Sequence, residues 1–317
     1  MKKVILLIFV LGINISTYAG IVSKHGQLKV RGVHLVDKKG KPVVLRGTSF
    51  GWSNWYGKFY TAQTVDWLVS DWKATVVRAA IGVEPDGAYI SNPQLQKELA
   101  MNVIDAAIKN DIYVIIDWHS HNIRTPEAVD FFKQMATKYG KYPNIIYEIF
   151  NEPVRQSWDD VKAYSETVIR AIREIDKKNV ILVGSTHWDQ DIHIAADSPI
   201  TGYTNLMYTL HFYAATHKEG LRKNADYALS KGLPLFVSEC AGMEASGDGT
   251  INKDSWNTWL NWMETNKISW ACWSVSSKNE TCSMIKDDSV DPKGLWSDND
   301  LKEWGKIVRE TLRTMNK

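Results

Sequence analysis

Eight short, nearly continuous apolar runs recur along the chain, and amphipathic stretches with helical periodicity separate most of them. The runs occupy residues 43–50, 75–81, 113–119, 145–152, 180–185, 206–213, 233–239 and 268–274. The helical patterns occupy residues 61–73, 93–110, 127–138, 159–176, 221–231 and 253–265, with residues 299–315 after the last run. A strand that is apolar on both faces must be covered on both faces, which is the condition of a parallel sheet wrapped in helices. Eight such units predict an α/β fold, the (β/α)8 TIM barrel. An open doubly wound sheet is the alternative, but its glycine-rich phosphate turn after the first strand is absent here. Residues 20–41 are expected to form a short N-terminal β-hairpin capping the barrel floor, with turns at residues 24–26 and 37–41. No linker, repeat or low-complexity stretch interrupts residues 20–317, which read as one catalytic-sized domain.

Residues 1–19 are a unit of their own. Lys2 and Lys3 precede an apolar run from Val4 to Ile13, and Ser16, Thr17, Tyr18 and Ala19 follow. That order reads as a secretory signal peptide cleaved near Ala19, so a secreted, extracellular protein is expected. The run is too short to cross a bilayer core of about 30 Å as a helix, and no membrane association is expected. The chain carries 38 basic and 36 acidic side chains, and the leader holds two of the bases and none of the acids. The remainder is therefore neutral, which removes the bulk attraction that nucleic-acid binding needs. A monomer is expected. Three cysteines, Cys240, Cys272 and Cys282, allow at most one internal disulfide, so the fold must stand on its core. Cys240 and Cys272 lie on neighbouring strands and are expected to be buried free thiols facing the helices.

Fourteen tryptophans are far above ordinary usage for this length. In a neutral exported chain they suggest a surface that stacks on flat apolar faces, such as those of sugar rings. In a parallel barrel the functional site lies at the C-terminal ends of the strands. Here those ends carry Arg78, Asp117 and His119, Asn151 and Glu152, His211 and Tyr213, Glu239, and Trp273. Such a set is costly to bury unless its members pair with one another. Glu152 and Glu239 end the fourth and seventh runs, which puts them on opposing walls of one cleft. Two carboxylates flanking a bond are what glycoside hydrolysis requires, one as acid and one as nucleophile or base.

Taken together, several segments resemble glycoside hydrolase family 5, and within it the endo-β-1,4-glucanase (cellulase) branch. They are Leu45-Arg46-Gly47, Trp52-Ser53-Asn54-Trp55-Tyr56-Gly57, Val77-Arg78-Ala79-Ala80, Asp117-Trp118-His119, Ile149-Phe150-Asn151-Glu152-Pro153, Val183-Gly184-Ser185-Thr186-His187-Trp188, His211-Phe212-Tyr213, Val237-Ser238-Glu239 and Trp273-Ser274. The resemblance spans essentially the whole chain after the leader. It implies a retaining hydrolase of β-1,4-linked glucan polysaccharide that uses no cofactor and no metal. It places the acid/base on Glu152 and the nucleophile on Glu239, with Arg78, His119, Asn151, His211 and Tyr213 in support. Trp273 would form the floor under the reacting sugar. Trp55, Lys278 and Glu280 resemble contacts on the non-reducing side, and Trp188 a platform on the reducing side. Gly51 and Gly82 depart from the pattern, standing where a His and a Tyr are often found.

Physical roles follow. Glu239 must be ionised to attack, and Arg78 and Tyr213 can supply the cation and donor that favour the charge. Glu152 must hold a proton, and the charge of Glu239 across a dry cleft is expected to raise its pKa. His119 and His211 can orient the charged groups, and Asn151 is placed to hold a sugar 2-OH.

Three other readings stand beside this one. Related glycanases of the same fold act on mannan, xyloglucan or mixed-linkage glucan. A metal-dependent TIM-barrel hydrolase could use His119 and His121 with His187, His193 or His211 as ligands. A non-catalytic carbohydrate-binding barrel would keep the aromatic cleft and lack a carboxylate. Asn279-Glu280-Thr281 is a glycosylation sequon, and a glycan on Asn279 is expected to crowd the cleft if its neighbours line it.

Overall fold

Side chains alternate across each strand of the computed structural model, which describes residues 20–317, and that alternation divides the core in two. In the strand Tyr113–His119, Val114, Ile116 and Trp118 join the layer under the helices, whereas Tyr113 and Ile115 fill the barrel interior. The leader assigned to residues 1–19 lies outside the described residues. None of the described helices is long and apolar enough to cross a membrane.

Ten strands are present among the described residues. β1 (Lys29–Arg31) and β2 (His34–Val36) form an antiparallel hairpin. The barrel strands are β3 (Arg46–Phe50), β4 (Val76–Gly82), β5 (Tyr113–His119), β6 (Ile145–Glu148), β7 (Val180–Val183), β8 (Leu206–Tyr213), β9 (Leu235–Ala241) and β10 (Trp270–Val275). All eight pair in parallel and in sequence order, and β10 closes on β3. This is the expected (β/α)8 barrel. The helices Ala62–Ser70, Pro93–Lys109, Thr125–Tyr139, Trp158–Ile175, Glu219–Ser230, Lys253–Asn266 and Glu303–Met315 lie close to their expected ranges. The longest starts at a capping box in which Ser157 and Asp160 satisfy each other's backbone N–H groups.

The N-terminal segment differs from expectation in detail. Residues 24–26 end a short helix, Ile21–His25, and do not form a hairpin turn. A distant residue decides this: the backbone carbonyl and carboxylate of Asp111 accept the N–H groups of Val22 and Ser23 at 3.0 and 2.9 Å. The hairpin instead turns between Arg31 and His34, where Gly32 has φ of 58°. Val22, Leu28 and Leu35 pack against Leu45, Tyr113, Ile115 and Phe236, so helix and hairpin together plug the barrel floor.

One irregularity aims the site. From Thr209↔Phe236 to His211↔Glu239, β8 advances by two residues and β9 by three. The pairing of β9 with β10 shows the same extra residue, from Trp270↔Val237 to Cys272↔Cys240. Without this bulge, the inward parity set by Phe236 would carry Cys240 inward and Glu239 outward. With it, both Ser238 and Glu239 reach the site, and Cys240 turns toward the helices beside Cys272. Their Sγ atoms are 4.0 Å apart, and all three cysteines are buried free thiols.

Candidate active site

Arg78 occupies the centre of the barrel mouth, fully buried on β4. An isolated buried guanidinium would be prohibitive, so the surrounding carboxylates explain its presence. Its Nε and Nη2 donate to the two oxygens of Glu148 at 2.8 and 3.0 Å. Nη1 donates to Glu239 Oε2 at 3.1 Å, and Nη2 reaches Asn151 Oδ1 at 2.6 Å and Asp117 Oδ2 at 3.0 Å. The forked pair with Glu148 fixes the guanidinium plane, leaving its remaining edge for Glu239. Tyr213 donates to the other oxygen of Glu239 at 2.8 Å.

Glu152 lies beyond the end of β6. Its strand was expected to run through residue 152 but stops at Glu148. The segment still follows the sheet, because Asn151 and Glu152 donate their N–H groups to the carbonyls of Trp118 and Ser120. His211 Nδ1 is 2.8 Å from Glu152 Oε1, and His121 Nε2 is 3.4 Å from Oε2. His211 Nε2 bonds Ser238 Oγ at 2.9 Å, and Ser238 donates onward to Glu148. An oxygen of Glu152 and one of Glu239 lie within 4.8 Å of each other, and a nitrogen of His211 lies within the same distance of each.

The protonation pattern departs from expectation. Burial pushes the Glu152 carboxyl up, but the hydrogen bonds from His121 and His211 outweigh it and hold the group at about 2. Burial and then the charge of Glu152 push Glu239 up, against the pull of His211, Arg78 and Tyr213. Burial would pull His211 down, yet Asp189, Glu148, Glu152 and Glu239 raise it well above its ordinary value. In the free site the proton expected on Glu152 therefore rests on His211, 2.8 Å away and within direct transfer distance. The cause is that carboxylates surround the imidazole, which sequence order does not reveal.

His119 does not touch either glutamate. Its Nδ1 bonds Asp117 Oδ2 at 2.7 Å, and its ring stacks on Trp273 at 5.2 Å with 4° between the planes. Burial, then Arg78, keeps it well below its ordinary value and hence neutral. It joins the Trp273 floor to the Asp117 carboxylate that pairs with Arg78. Of the histidines considered as metal ligands, His119 and His211 thus spend nitrogens on Asp117, Glu152 and Ser238.

The cleft runs to both sides of the glutamates. On one side a cavity of about 420 Å³ is lined by Trp188, His187, Gln190, His217, Tyr213 and Ala245 with Glu152 and Glu239. On the other, Trp52, Trp55, Tyr56, Asn151, Trp273, Lys278, Glu280 and Cys282 line a smaller one of about 180 Å³. Lys278 and Glu280 form an ion pair within it. Asn279 instead lines a separate hollow with Asp248, Thr281 and Lys302. Glu280 lines both this hollow and the cleft.

Every residue assigned from the sequence lies at this mouth, and several lining or supporting residues were missed. Glu148 was hidden inside an apolar strand, where an acid among Ile145, Ile146, Tyr147 and Ile149 was itself the signal. Trp52 fills the space that Gly82 leaves: a Cβ on Gly82 would meet Asn54 Oδ1 at 2.4 Å and the Trp52 ring at 3.1 Å. Trp52 packs edge-on to His119 at 4.3 Å. His121 had been weighed only as a metal ligand.

Trp55 and Trp188 are 56% and 40% exposed, unusual for tryptophan and suited to stacking. Trp55→Ala and Trp188→Ala should each weaken polysaccharide binding by about 1 to 2 kcal/mol and spare short activated glycosides. Michaelis constants on both substrate types check this; equal losses would assign the rings to support of the barrel.

The family profile described as Cellulase (glycosyl hydrolase family 5) matches residues 36–279. An endoglucanase of Clostridium saccharobutylicum is 42% identical over 99% of this chain and 71% of its own length. The chain spans 57 to 71% of the length of the curated relatives that it matches at 42% identity or better. A structure from Cytophaga hutchinsonii superposes with a TM-score of 0.92 at 46% identity, covering 94% of this chain and 97% of that one. The catalytic domain of Thermobifida fusca endoglucanase Cel5A, solved as a variant in complex with cellotetraose, gives 0.86 at 31% identity over 92% and 99%. A profile matching well over half of the chain, and relatives this close, make it a member of glycoside hydrolase family 5, the cellulase family.

Proposed function

We propose that the protein is a secreted endo-β-1,4-glucanase that cleaves internal bonds of cellulose-type polysaccharides by a retaining double displacement. The observation that carries this reading is the approach of Glu152 and Glu239 oxygens to within 4.8 Å in the middle of an open aromatic cleft. A retaining enzyme needs its carboxyl groups about 5 to 5.5 Å apart, whereas an inverting one needs about 6.5 to 9.5 Å to admit a water. The endoglucanase names of the relatives and the cellotetraose bound to one neighbour support a β-1,4-glucan over mannan, xyloglucan or mixed-linkage substrates.

The chemistry follows from the contacts. Glu239, held by Arg78 and Tyr213, attacks the anomeric carbon of the sugar above Trp273 and forms a glycosyl ester. Glu152 receives the proton resting on His211 and passes it to the departing oxygen. A water then enters, Glu152 takes its proton, and the ester is hydrolysed with the β configuration restored. Asn151 has its Oδ1 held by Arg78, which leaves its amide NH2 to donate to the sugar 2-OH. Both walls come from one chain, so a monomer suffices. The leader would deliver the enzyme to the polymer, and N-terminal sequencing of exported protein should begin after Ala19.

A reducing-end assay across carboxymethylcellulose, mannan, xyloglucan and mixed-linkage glucan tests the substrate. The expected result is highest kcat/KM on the cellulose derivative, with viscosity falling early. Preference for mannan or xyloglucan would transfer the protein to another branch of the family, and binding without release of reducing ends would make it a lectin-like barrel.

A further inference from the structure

Asp189 is a fully buried carboxylate that the reaction above does not use. It ends a backbone segment of unusual shape: His187, Trp188 and Asp189 have φ of 56°, 56° and 59°, three consecutive residues in the left-handed region that side-chain-bearing residues avoid. Such a turn persists only if its surroundings hold it. Asp189 Oδ1 accepts the Ser185 N–H at 2.6 Å, and its Oδ2 accepts the Thr209 hydroxyl at 2.5 Å. The Trp188 N–H donates at 3.0 Å to the carbonyl of Pro153, the residue after Glu152. The turn that displays the Trp188 platform is thus fastened to the segment that carries the acid/base.

The same Oδ2 lies 3.4 Å from His211 Nε2, on the edge of the imidazole opposite Glu152. We propose that Asp189 is a positioning residue that ties the Trp188 platform to the acid/base, holding the left-handed turn with one oxygen and facing His211 with the other. The assignment rests on Glu152 being the acid/base. His211 is faced by Glu152 from the loop after β6, Glu148 from β6, Ser238 and Glu239 from β9, and Asp189 from the turn after β7, with Asp117 and His119 of β5 also in its field. Of the carboxylates raising its proton affinity, Asp189 is the foremost. Burial raises the Asp189 carboxyl well above its ordinary value, and His211 and then the Thr209 hydroxyl pull against that rise, so the charge on Asp189 is favoured by the imidazolium beside it. A second consequence is directional. Glu152 and His211 share the proton that the reaction donates, and replacing the carboxyl group behind His211, whose charge the imidazolium favours, weakens the hold of the pair on it.

The test compares Asp189→Asn and Asp189→Ala with wild type on carboxymethylcellulose and on an aryl cellobioside whose leaving group needs no proton. Asn can still accept the Ser185 N–H, so Asp189→Asn should keep a near-normal KM. The basic limb of its kcat/KM profile on the polymer should move down by about one pH unit. Its neutral-pH loss should be several-fold larger on the polymer than on the aryl substrate. Asp189→Ala should add a rise in polymer KM like that of Trp188→Ala. An unmoved basic limb in both variants, with only stability or KM altered, would overturn the proposal and reduce Asp189 to a brace for the turn. If neither variant folds, 15N NMR of histidine-labelled wild type decides: His211 should be doubly protonated at neutral pH, and a neutral imidazole there would overturn it. A wild type that hydrolyses no glucan would instead contradict the function itself, before any variant is measured.

Discussion

Glu239→Gln should abolish turnover of polysaccharide and of activated glycosides alike, by at least about four orders of magnitude. The amide is nearly isosteric, so the Tyr213 and Arg78 side chains keep a neighbour and the cleft keeps its shape. What disappears is the only oxygen able to form an ester with the anomeric carbon. A better leaving group cannot help, because no nucleophile remains to displace it. Glu148 and Asp117, the other buried carboxylates near Arg78, are fully buried and committed to Arg78, Ser238 and His119. Kinetics on an aryl cellobioside measure the effect. Loss on the polymer with full activity on the aryl substrate would make Glu239 a binding residue and send the search for the nucleophile elsewhere.

Glu152→Ala should behave differently. On polymer, where the leaving sugar must be protonated, the loss should be about 10² to 10⁴-fold, the usual contribution of a general acid. On an activated aryl glycoside the ester should still form, but its hydrolysis should slow because no base remains to activate water. The product burst should then exceed the steady state. The truncation opens space beside His211 and His121, and added azide should occupy it, attack the glycosyl-enzyme without needing a base, and release a β-glycosyl azide. Absence of rescue, or an α-azide, would contradict the assignment of acid and nucleophile.

Much of this arrangement was legible before any coordinates. The barrel could be read because each strand is apolar on both faces, and its mouth because Arg78, Glu152, His211, Tyr213 and Glu239 break that apolarity at the strand ends. What could not be read depends on contacts between distant segments. Asp111 turns residues 21–25 into a helix by capping it across the barrel floor. The extra residue in β9 reverses the facing of Glu239, and no local composition around Val237-Ser238-Glu239 announces it. His211 is raised well above its ordinary value because four carboxylates converge on that ring from separate elements. The left-handed run His187-Trp188-Asp189 has no glycine to signal it and is held by Ser185, Thr209 and Pro153 from outside.

The approach of Glu152 and Glu239 oxygens to within 4.8 Å is shorter than the about 6.5 to 9.5 Å that attack by an interposed water requires, so the proposed reaction passes through a covalent intermediate with net retention. The direct measurement is 1H NMR of the anomeric region during the first minutes of hydrolysis of a cello-oligosaccharide, before mutarotation. The β anomer should appear first, and the α anomer only at the rate of spontaneous equilibration. An α anomer formed first would mean single displacement by water and would contradict the assignment of Glu239 as nucleophile.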